Sequence, residues 1–314
     1  MEYYYNIGNK NINIMMFGDL HYSDRFNDKK LDLISSKMGD AQYLCIAGDL
    51  IDSTDFLYTN KDRKNRITSF IRDISKKCKI FITLGNHDIA DRSHGNNVCD
   101  DNDEFWCELS KIDNVFVSRY NCYYEDDNVI IYMLEASYDY YYRDYKKEAK
   151  DILLNKIKED KKLFDNMNND KVKIVICHSP IYMTDSDILN EFKDFNFIFC
   201  GHMHNGMIPY LCDKIIRNNR GIISPCGKLF SNNTRGTIDI NNIHLIINGG
   251  ITKLSKSSGI FSYFNFIYPI SMDNIVINRK DKSNEEINTE ITKLMIDKKV
   301  LTKESARKLV DRNK

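Results

Sequence analysis

The chain predicts an α/β protein, and three features lead there. Short, near-continuous apolar runs recur along its length. Amphipathic helical stretches separate several of them. Groups of Asp, Asn and His stand directly behind the runs. Strands that alternate with helices build sheets whose faces the helices cover.

The runs are INIMMF (12–17), YLCIA (43–47), IFITL (80–84), VIIYML (129–134), VKIVIC (172–177), FNFIFC (195–200) and IHLIIN (243–248). Apolar runs of this length read as strands buried on both faces. KKLDLISSKM (29–38) and RITSFIRDISKK (66–77) place apolar residues three and four apart, as an amphipathic helix does. DYKKEAKDILLNKIKEDKKLF (144–164) predicts a longer helix. After about residue 279 the texture becomes charged and helical. Ser283 with Glu286 fits a capping box, and Ile287, Ile291 and Leu294 form an apolar stripe. The expected organisation is one domain over 1–278 and a short C-terminal helical appendage over 279–314.

Composition narrows the class. Apolar residues make up 42% and charged residues 29%, enough to bury a core and remain globular. Lys plus Arg equals Asp plus Glu at 45 each, so no global field draws the chain to nucleic acid or to an anionic membrane. No run approaches the ~18 apolar residues of a membrane span. The opening MEYYYNIGNKN has no basic stretch followed by an apolar one, so a cytoplasmic location is expected. The nine cysteines include no Cys-x-x-Cys, and Cys45, Cys177 and Cys200 sit inside apolar runs, where they act as small hydrophobes rather than disulfide partners.

The chemistry gathers behind the strands. FGDLHYSD supplies Asp19 and His21. AGDLID supplies Asp49 and Asp52. LGNHD supplies Asn86, His87 and Asp88. CHSP supplies His178, and GHMH supplies His202 and His204. Five of the seven histidines fall in these loops. Ligands of α/β sheets bind where strand-end loops converge. In extended backbone, residues i and i+2 point to one side, so Asp19 with His21, and His202 with His204, are each expected to aim two donors into one cleft. Glycines 18, 48, 85 and 201 precede the polar groups and allow close backbone approach. Carboxylate, amide oxygen and imidazole without thiolate suit Mn, Fe or Zn. Asp19, His21, Asp49, Asn86, His178, His202 and His204 are too many donors for one ordinary ion. Two divalent transition-metal ions sharing one carboxylate fit better, with manganese favoured, and such pairs act on phosphorus.

The ordered set Asp-x-His, Gly-Asp-x-x-Asp, Gly-Asn-His-Asp, His and Gly-His-x-His resembles the calcineurin-like metallophosphoesterase superfamily over roughly residues 12–250. That resemblance implies a four-layer α/β/β/α sandwich of two mixed sheets flanked by helices. It implies one ion on Asp19, His21, Asp49 and His204, and another on Asp49, Asn86, His178 and His202, with Asp49 bridging. A metal-bridging hydroxide would attack phosphorus. His87, supported by Asp52, would serve the leaving oxygen. The segment 248–277 also resembles the closing segment of bacterial members.

Departures from the family refine the expectation. Protein serine/threonine phosphatases of the superfamily carry arginine after the second aspartate of Gly-Asp-x-x-Asp, whereas Ser53 follows Asp52 here, and Asp88 stands where they have glutamate. No coiled-coil insertion of the DNA-end-processing kind is present. The expected activity is therefore phosphodiester or phosphomonoester hydrolysis on a small or lipid-linked substrate, the latter with peripheral membrane contact. A nuclease is the alternative within the superfamily. A non-catalytic interaction scaffold is the other, and scaffolds of that kind lack the histidine that His87 supplies here.

Other residues carry weaker signals. Arg92, Arg119, Arg217 and Arg235 are candidates to grip substrate, and Asn205 to touch the phosphate. His94 reads as an exposed loop histidine, with contact to substrate as the alternative, and His244 reads as structural. The tyrosines of 138–145 read as helix packing with a chance of walling the pocket. The aromatic stretch 259–269 reads as core, with the lining of an apolar pocket for a lipid substrate as the alternative.

Overall fold

The computed structural model describes residues 1–278, apart from 8–10, 54–56, 58, 92–96, 99–103, 144–145, 166, 168–169, 213–214, 217–218, 226 and 255. The expected appendage at 279–314 lies outside the described residues, as do Arg92, His94 and Arg217.

Two six-stranded mixed sheets form the centre. The first contains β1 (Glu2–Asn6), β2 (Ile12–Phe17), β3 (Tyr43–Ala47), β4 (Lys79–Thr83) and β7 (Val115–Val117), with β14 (Asp273–Asn278) between β1 and β2. β2, β3, β4 and β7 run parallel, and β14 is antiparallel to β2. A two-stranded ribbon of β5 (Ala90–Asp91) and β6 (Asn97–Val98) stands apart. The second sheet has the order β12 (Gly236–Ile240), β13 (Ile243–Ile247), β11 (Phe197–Cys200), β10 (Val172–Cys177), β9 (Val129–Leu134), β8 (Tyr123–Glu125). Its middle four strands are parallel and its two edges antiparallel.

The period of two along each strand divides its side chains between two layers. Ile12, Ile14, Met16, Cys45 and Phe81 meet Ile131, Met133, Ile174, Ile176 and Phe199 between the sheets. The alternate residues Met15, Phe17, Leu44, Ile46 and Ile82 face outward onto α1 (Lys29–Lys37), α2 (Lys61–Ser75), α3 (Asn86–Ile89) and α4 (Glu104–Ser110), through Leu31, Ile34, Ile67, Ile71, Ile89 and Trp106. On the other side Leu134, Val175, Cys177, Ile198 and Leu245 pack on α5 (Tyr138–Tyr142), α6 (Lys147–Asp160) and α7 (Ser186–Glu191), through Tyr140, Leu153, Ile157 and Ile188. This is the expected α/β/β/α sandwich. Burial on both faces is why the strands read as continuous apolar runs, at ~1.5–3 kcal/mol for each fully buried large aliphatic side chain.

Boundaries differ where caps decide them. The helix expected over 66–77 begins at Lys61, because Asn60 Oδ1 accepts the Arg63 N–H at 3.2 Å and caps it. The helix expected over 144–164 is Lys147–Asp160 followed by a 3₁₀ turn to Leu163.

Candidate metal centre

Each chemistry-bearing loop begins where a parallel strand ends. Asp19 and His21 follow β2, Asp49 and Asp52 follow β3, and Asn86 and His87 open α3 just after β4. His178 follows β10, and His202 and His204 follow β11. Five residues reach inward through left-handed backbone: Asp19 (φ 49°), His21 (50°), Asp49 (52°), His202 (68°) and His204 (48°). The expected extended pairing of i and i+2 is thus replaced by pairs of left-handed residues. Such backbone costs a non-glycine residue roughly 1–3 kcal/mol and persists where the surroundings over-determine it, as at functional sites.

Two glycines make the crowding possible. A Cβ on Gly48 would lie 2.3 Å from His178 Nδ1, and one on Gly85 would lie 2.3 Å from Asp49 Oδ1. Only hydrogen fits either place.

The side chains converge in two overlapping groups. In one, His21 Nε2 lies 4.0 Å from Asp19 Oδ1 and 3.7 Å from Asp49 Oδ2, and His204 Nε2 lies 3.6 Å from Asp19 Oδ1. In the other, His178 Nε2 lies 3.2 Å from Asp49 Oδ2, from Asn86 Oδ1 and from His202 Nδ1. Asp49 Oδ2 faces both groups. Potential ligand atoms of Asp19, His21 and His204, and of Asp19, Asp49 and His178, lie within 4.8 Å of one another.

The outward nitrogens explain why the inward ones are lone pairs. His178 Nδ1 donates to the Ala47 carbonyl at 2.8 Å, and His204 Nδ1 donates to the Thr252 carbonyl at 3.0 Å. His21 Nδ1 lies 3.3 Å from Asp52 Oδ1. A ring that gives its proton to one oxygen presents a lone pair on its other nitrogen, the usual arrangement of a metal-binding histidine. His21 Nε2 and Asp49 Oδ2 are buried without a hydrogen-bond partner. Buried acceptors facing acceptors cost free energy that a cation between them removes. The residues present therefore fit two divalent ions.

With no ion, protons balance the charge. Burial lowers His178, but Asp49 and Asp19 outweigh it and raise its pKa to about 9. Burial raises Asp49, yet the nearby imidazoles, His178 first, hold it well below the usual carboxylate value. Burial pushes His204 well below the usual imidazole value, with His21 adding to the effect. Burial also pushes His87 down to about 4, so its resting ring is neutral at pH 7.

Asp52 and Asp88 hold the loops. The Asp52 carboxylate is nearer to His21 (3.3 Å) than to His87 (3.6 Å). The Asp52 backbone carbonyl makes the short contact to His87, accepting from Nδ1 at 2.8 Å. Asp52 thus orients both rings, one by its side chain and one by its backbone. Fully buried Asp88 accepts the backbone N–H groups of Leu50, Ile51 and Gly85 at 3.3, 3.0 and 2.9 Å. It ties the Asp49 loop to the Asn86 loop, a larger role than its position in the motif suggested. Asp49 Oδ1 in turn accepts the His87 N–H at 2.8 Å.

Several surrounding residues depart from expectation. Arg119 is committed to Glu135 at 2.8 Å, and Arg235 donates to the Ile216 carbonyl at 2.5 Å. The Tyr141 ring lies 5.8 Å from both the His178 and His202 rings and does wall the site, while Tyr140 is core. Asn205 is buried with its Nδ2 unpartnered. The stretch expected as core over 259–269 instead exposes Tyr263, Phe264 and Phe266. Sequence reading missed Arg25 and Lys30, which line a cavity against His21; nothing in their spacing marks them.

Two sheets whose strand ends converge on buried carboxylates and imidazoles define a metallohydrolase-type centre. A family model for calcineurin-like phosphoesterases matches residues 12–206, and the chain belongs to that family. No curated protein matches the sequence. Among solved structures, the phosphopantetheinyl hydrolase of Mycobacterium tuberculosis is 9% identical with a TM-score of 0.42, covering 74% of this chain and 87% of its own. A dimetal phosphatase from Danio rerio is 10% identical with a TM-score of 0.40, covering 76% and 87%. GAP50, the anchor in the inner membrane complex of Plasmodium, is 13% identical with a TM-score of 0.39, covering 77% and 72%. The assignment rests on the sequence match. Among the described residues no helix is long and apolar enough to cross a membrane.

Proposed function

We propose that the chain hydrolyses a phosphodiester or phosphomonoester of a small or lipid-linked alcohol, with two divalent ions of which manganese is favoured. One ion would be held by Asp19, His21, Asp49 and His204, the other by Asp49, Asn86, His178 and His202. The observation that carries this reading is the convergence of buried imidazole nitrogens on Asp49 Oδ2, at 3.2 Å for His178 Nε2 and 3.7 Å for His21 Nε2. Bound there, the ions supply positive charge for the phosphoryl oxygens and lower the pKa of a coordinated water.

The chain's own residues do the rest. The Nδ1–H anchors on Ala47 and Thr252 and the contact with Asp52 keep the ligand rings from rotating. His87 Nδ1–H is committed to the Asp52 carbonyl, so Nε2 carries a proton only when the ring is cationic. Burial disfavours that form. The anionic phosphoester favours it on arrival, and Nε2 then holds the proton that the leaving oxygen takes. Tyr141 closes the side of the site formed by His178 and His202.

The test is a phosphate-release and nitrophenol-release screen of manganese-loaded protein on bis-p-nitrophenyl phosphate, p-nitrophenyl phosphate and DNA, with elemental analysis of the same sample. Two ions per chain and turnover of a small ester are expected, and Asp49→Asn lowers both together. One ion at saturation, or DNA cleavage without small-ester turnover, overturns the reading.

A further inference from the structure

A cavity of about 480 Å³ opens against the metal centre. Small-molecule sites span ~300–1,000 Å³. His21 forms part of the wall. So does Thr252, whose carbonyl holds His204. A group bonded to phosphorus at the centre has this space as its neighbour.

Four aromatic rings share the remaining wall with polar and aliphatic side chains: Phe26, Tyr263, Phe266 and Tyr268. Tyr263 and Phe266 are 67% and 81% exposed, so core burial does not account for them. Backbone anchoring does. Asn265, between them, accepts the N–H groups of Lys253 and Leu254 at 3.0 and 2.9 Å and donates to the Leu254 carbonyl at 2.6 Å. These bonds clamp the aromatic segment to the stretch that carries Thr252. Across the cavity, Phe26 packs against Tyr22 at 5.1 Å between centroids. Lys30 Nζ stands 5.5 Å from the Phe26 centroid and is steered by Thr252 Oγ1 at 3.3 Å. Arg25 adds a second cation, and among the described residues no carboxylate lines the cavity.

Resting on the phosphoesterase reading above, we propose that this cavity receives the organic part of the substrate, and that this part is a planar aromatic group such as a nucleobase or an aryl ring. Ring faces attract a flat π-system beyond the area they bury. A saturated chain gains only the area. Lys30 and Arg25 supply positive charge beside the group, which suits a substrate carrying anionic oxygens next to its ring.

Phosphonates test this without turnover, because their C–P bond survives the site. Calorimetry on the manganese-loaded protein compares methylphosphonate, cyclohexylphosphonate and phenylphosphonate. Phenylphosphonate is expected to bind roughly tenfold or more tightly than methylphosphonate, and more tightly than cyclohexylphosphonate. Phe266→Ala and Tyr263→Ala should each remove most of that gain and leave methylphosphonate binding unchanged. Manganese-dependent methylphosphonate binding with no gain from the ring, an equal gain from cyclohexyl, or a preference that survives both substitutions overturns the pocket assignment alone. Absence of any manganese-dependent methylphosphonate binding overturns the metal reading, and the pocket assignment with it.

Discussion

Gly85→Ala is the smallest change that tests the geometry beneath the site. The new Cβ would lie 2.3 Å from Asp49 Oδ1, 2.7 Å from Asp49 N and 2.9 Å from Asp49 Cγ. An ordinary contact needs at least about 1 Å more. The carboxylate cannot retreat freely: it is 1% exposed, and its Oδ1 accepts the His87 N–H at 2.8 Å. Overpacking costs ~1–3 kcal/mol. Weakening a hydrogen bond to a charged acceptor costs a further ~1.5–3 kcal/mol. The sum, about 2.5–6 kcal/mol, lowers Tm by roughly 5–24 °C at ~2–4 °C per kcal/mol. Gly39→Ala is the control. Gly39 has φ +52° with nothing within 4 Å of its Cβ position, so it carries backbone strain alone, ~1–2 kcal/mol. Thermal unfolding of the metal-free proteins and competition of each for manganese against a chelator measure the two consequences. Gly85→Ala should lose more stability than Gly39→Ala and, unlike it, bind manganese more weakly. Equal Tm losses, or unchanged manganese affinity in Gly85→Ala, would refute the placement of Asp49 as a packed, shared ligand.

Other outcomes follow from the same contacts. His87→Ala should keep both ions, yet lose ~10²–10⁴ in kcat on an ester with an alkyl leaving group and less on a p-nitrophenyl ester; loss of metal instead would make His87 a ligand. Asp88→Asn turns an amide NH₂ toward backbone N–H groups that Asp88 now accepts, and should cost ~1–3 kcal/mol by denaturant unfolding, with little loss refuting the three-bond clamp. His178 has its folded pKa raised from 6.5 to about 9, so its stabilising contribution is complete below pH 6.5 and disappears as pH rises through 9. The Tm of metal-free protein should fall over that window, the fall should vanish in His178→Gln, and a flat wild-type profile would contradict the buried His178–Asp49 contact.

Legibility followed the number of faces a segment buries. β2, β3, β4, β9, β10, β11 and β13 are covered by a sheet on one face and helices on the other, so each reads as a plain apolar run. β1 is an edge strand of sequence EYYYN, half-buried at best, and its pairing with β14 spans the whole domain. No local pattern announces a partner so distant. The clustering of the Asp, Asn and His groups was legible because they sit at strand ends in fixed order. Their aim was not, since left-handed backbone at Asp19, His21, Asp49, His202 and His204 leaves no trace in residue type. The cavity beside His21 was least legible. It joins the 25–30 loop to the aromatic segment near 265, and surface aromatics in sequence look the same as core ones.

The same contacts bind fold to site. Asp19, Asp49 and Asn86 come from the first sheet, and His178, His202 and His204 from the second. Even without an ion the sheets are stitched together here: His178 Nδ1 donates to the Ala47 carbonyl at 2.8 Å, and the His202 N–H donates to the Asp19 carboxylate at 3.0 Å. The first stitch uses the ring nitrogen that faces away from the cluster and the second a backbone N–H, leaving Asp49 Oδ2 and the His21, His178 and His204 Nε2 atoms turned toward one another. The strained backbone, the unpartnered acceptors and the glycines that admit nothing larger are therefore one device. The interior of the two-sheet sandwich bears the cost of holding these groups in place, and positive charge between them would remove it.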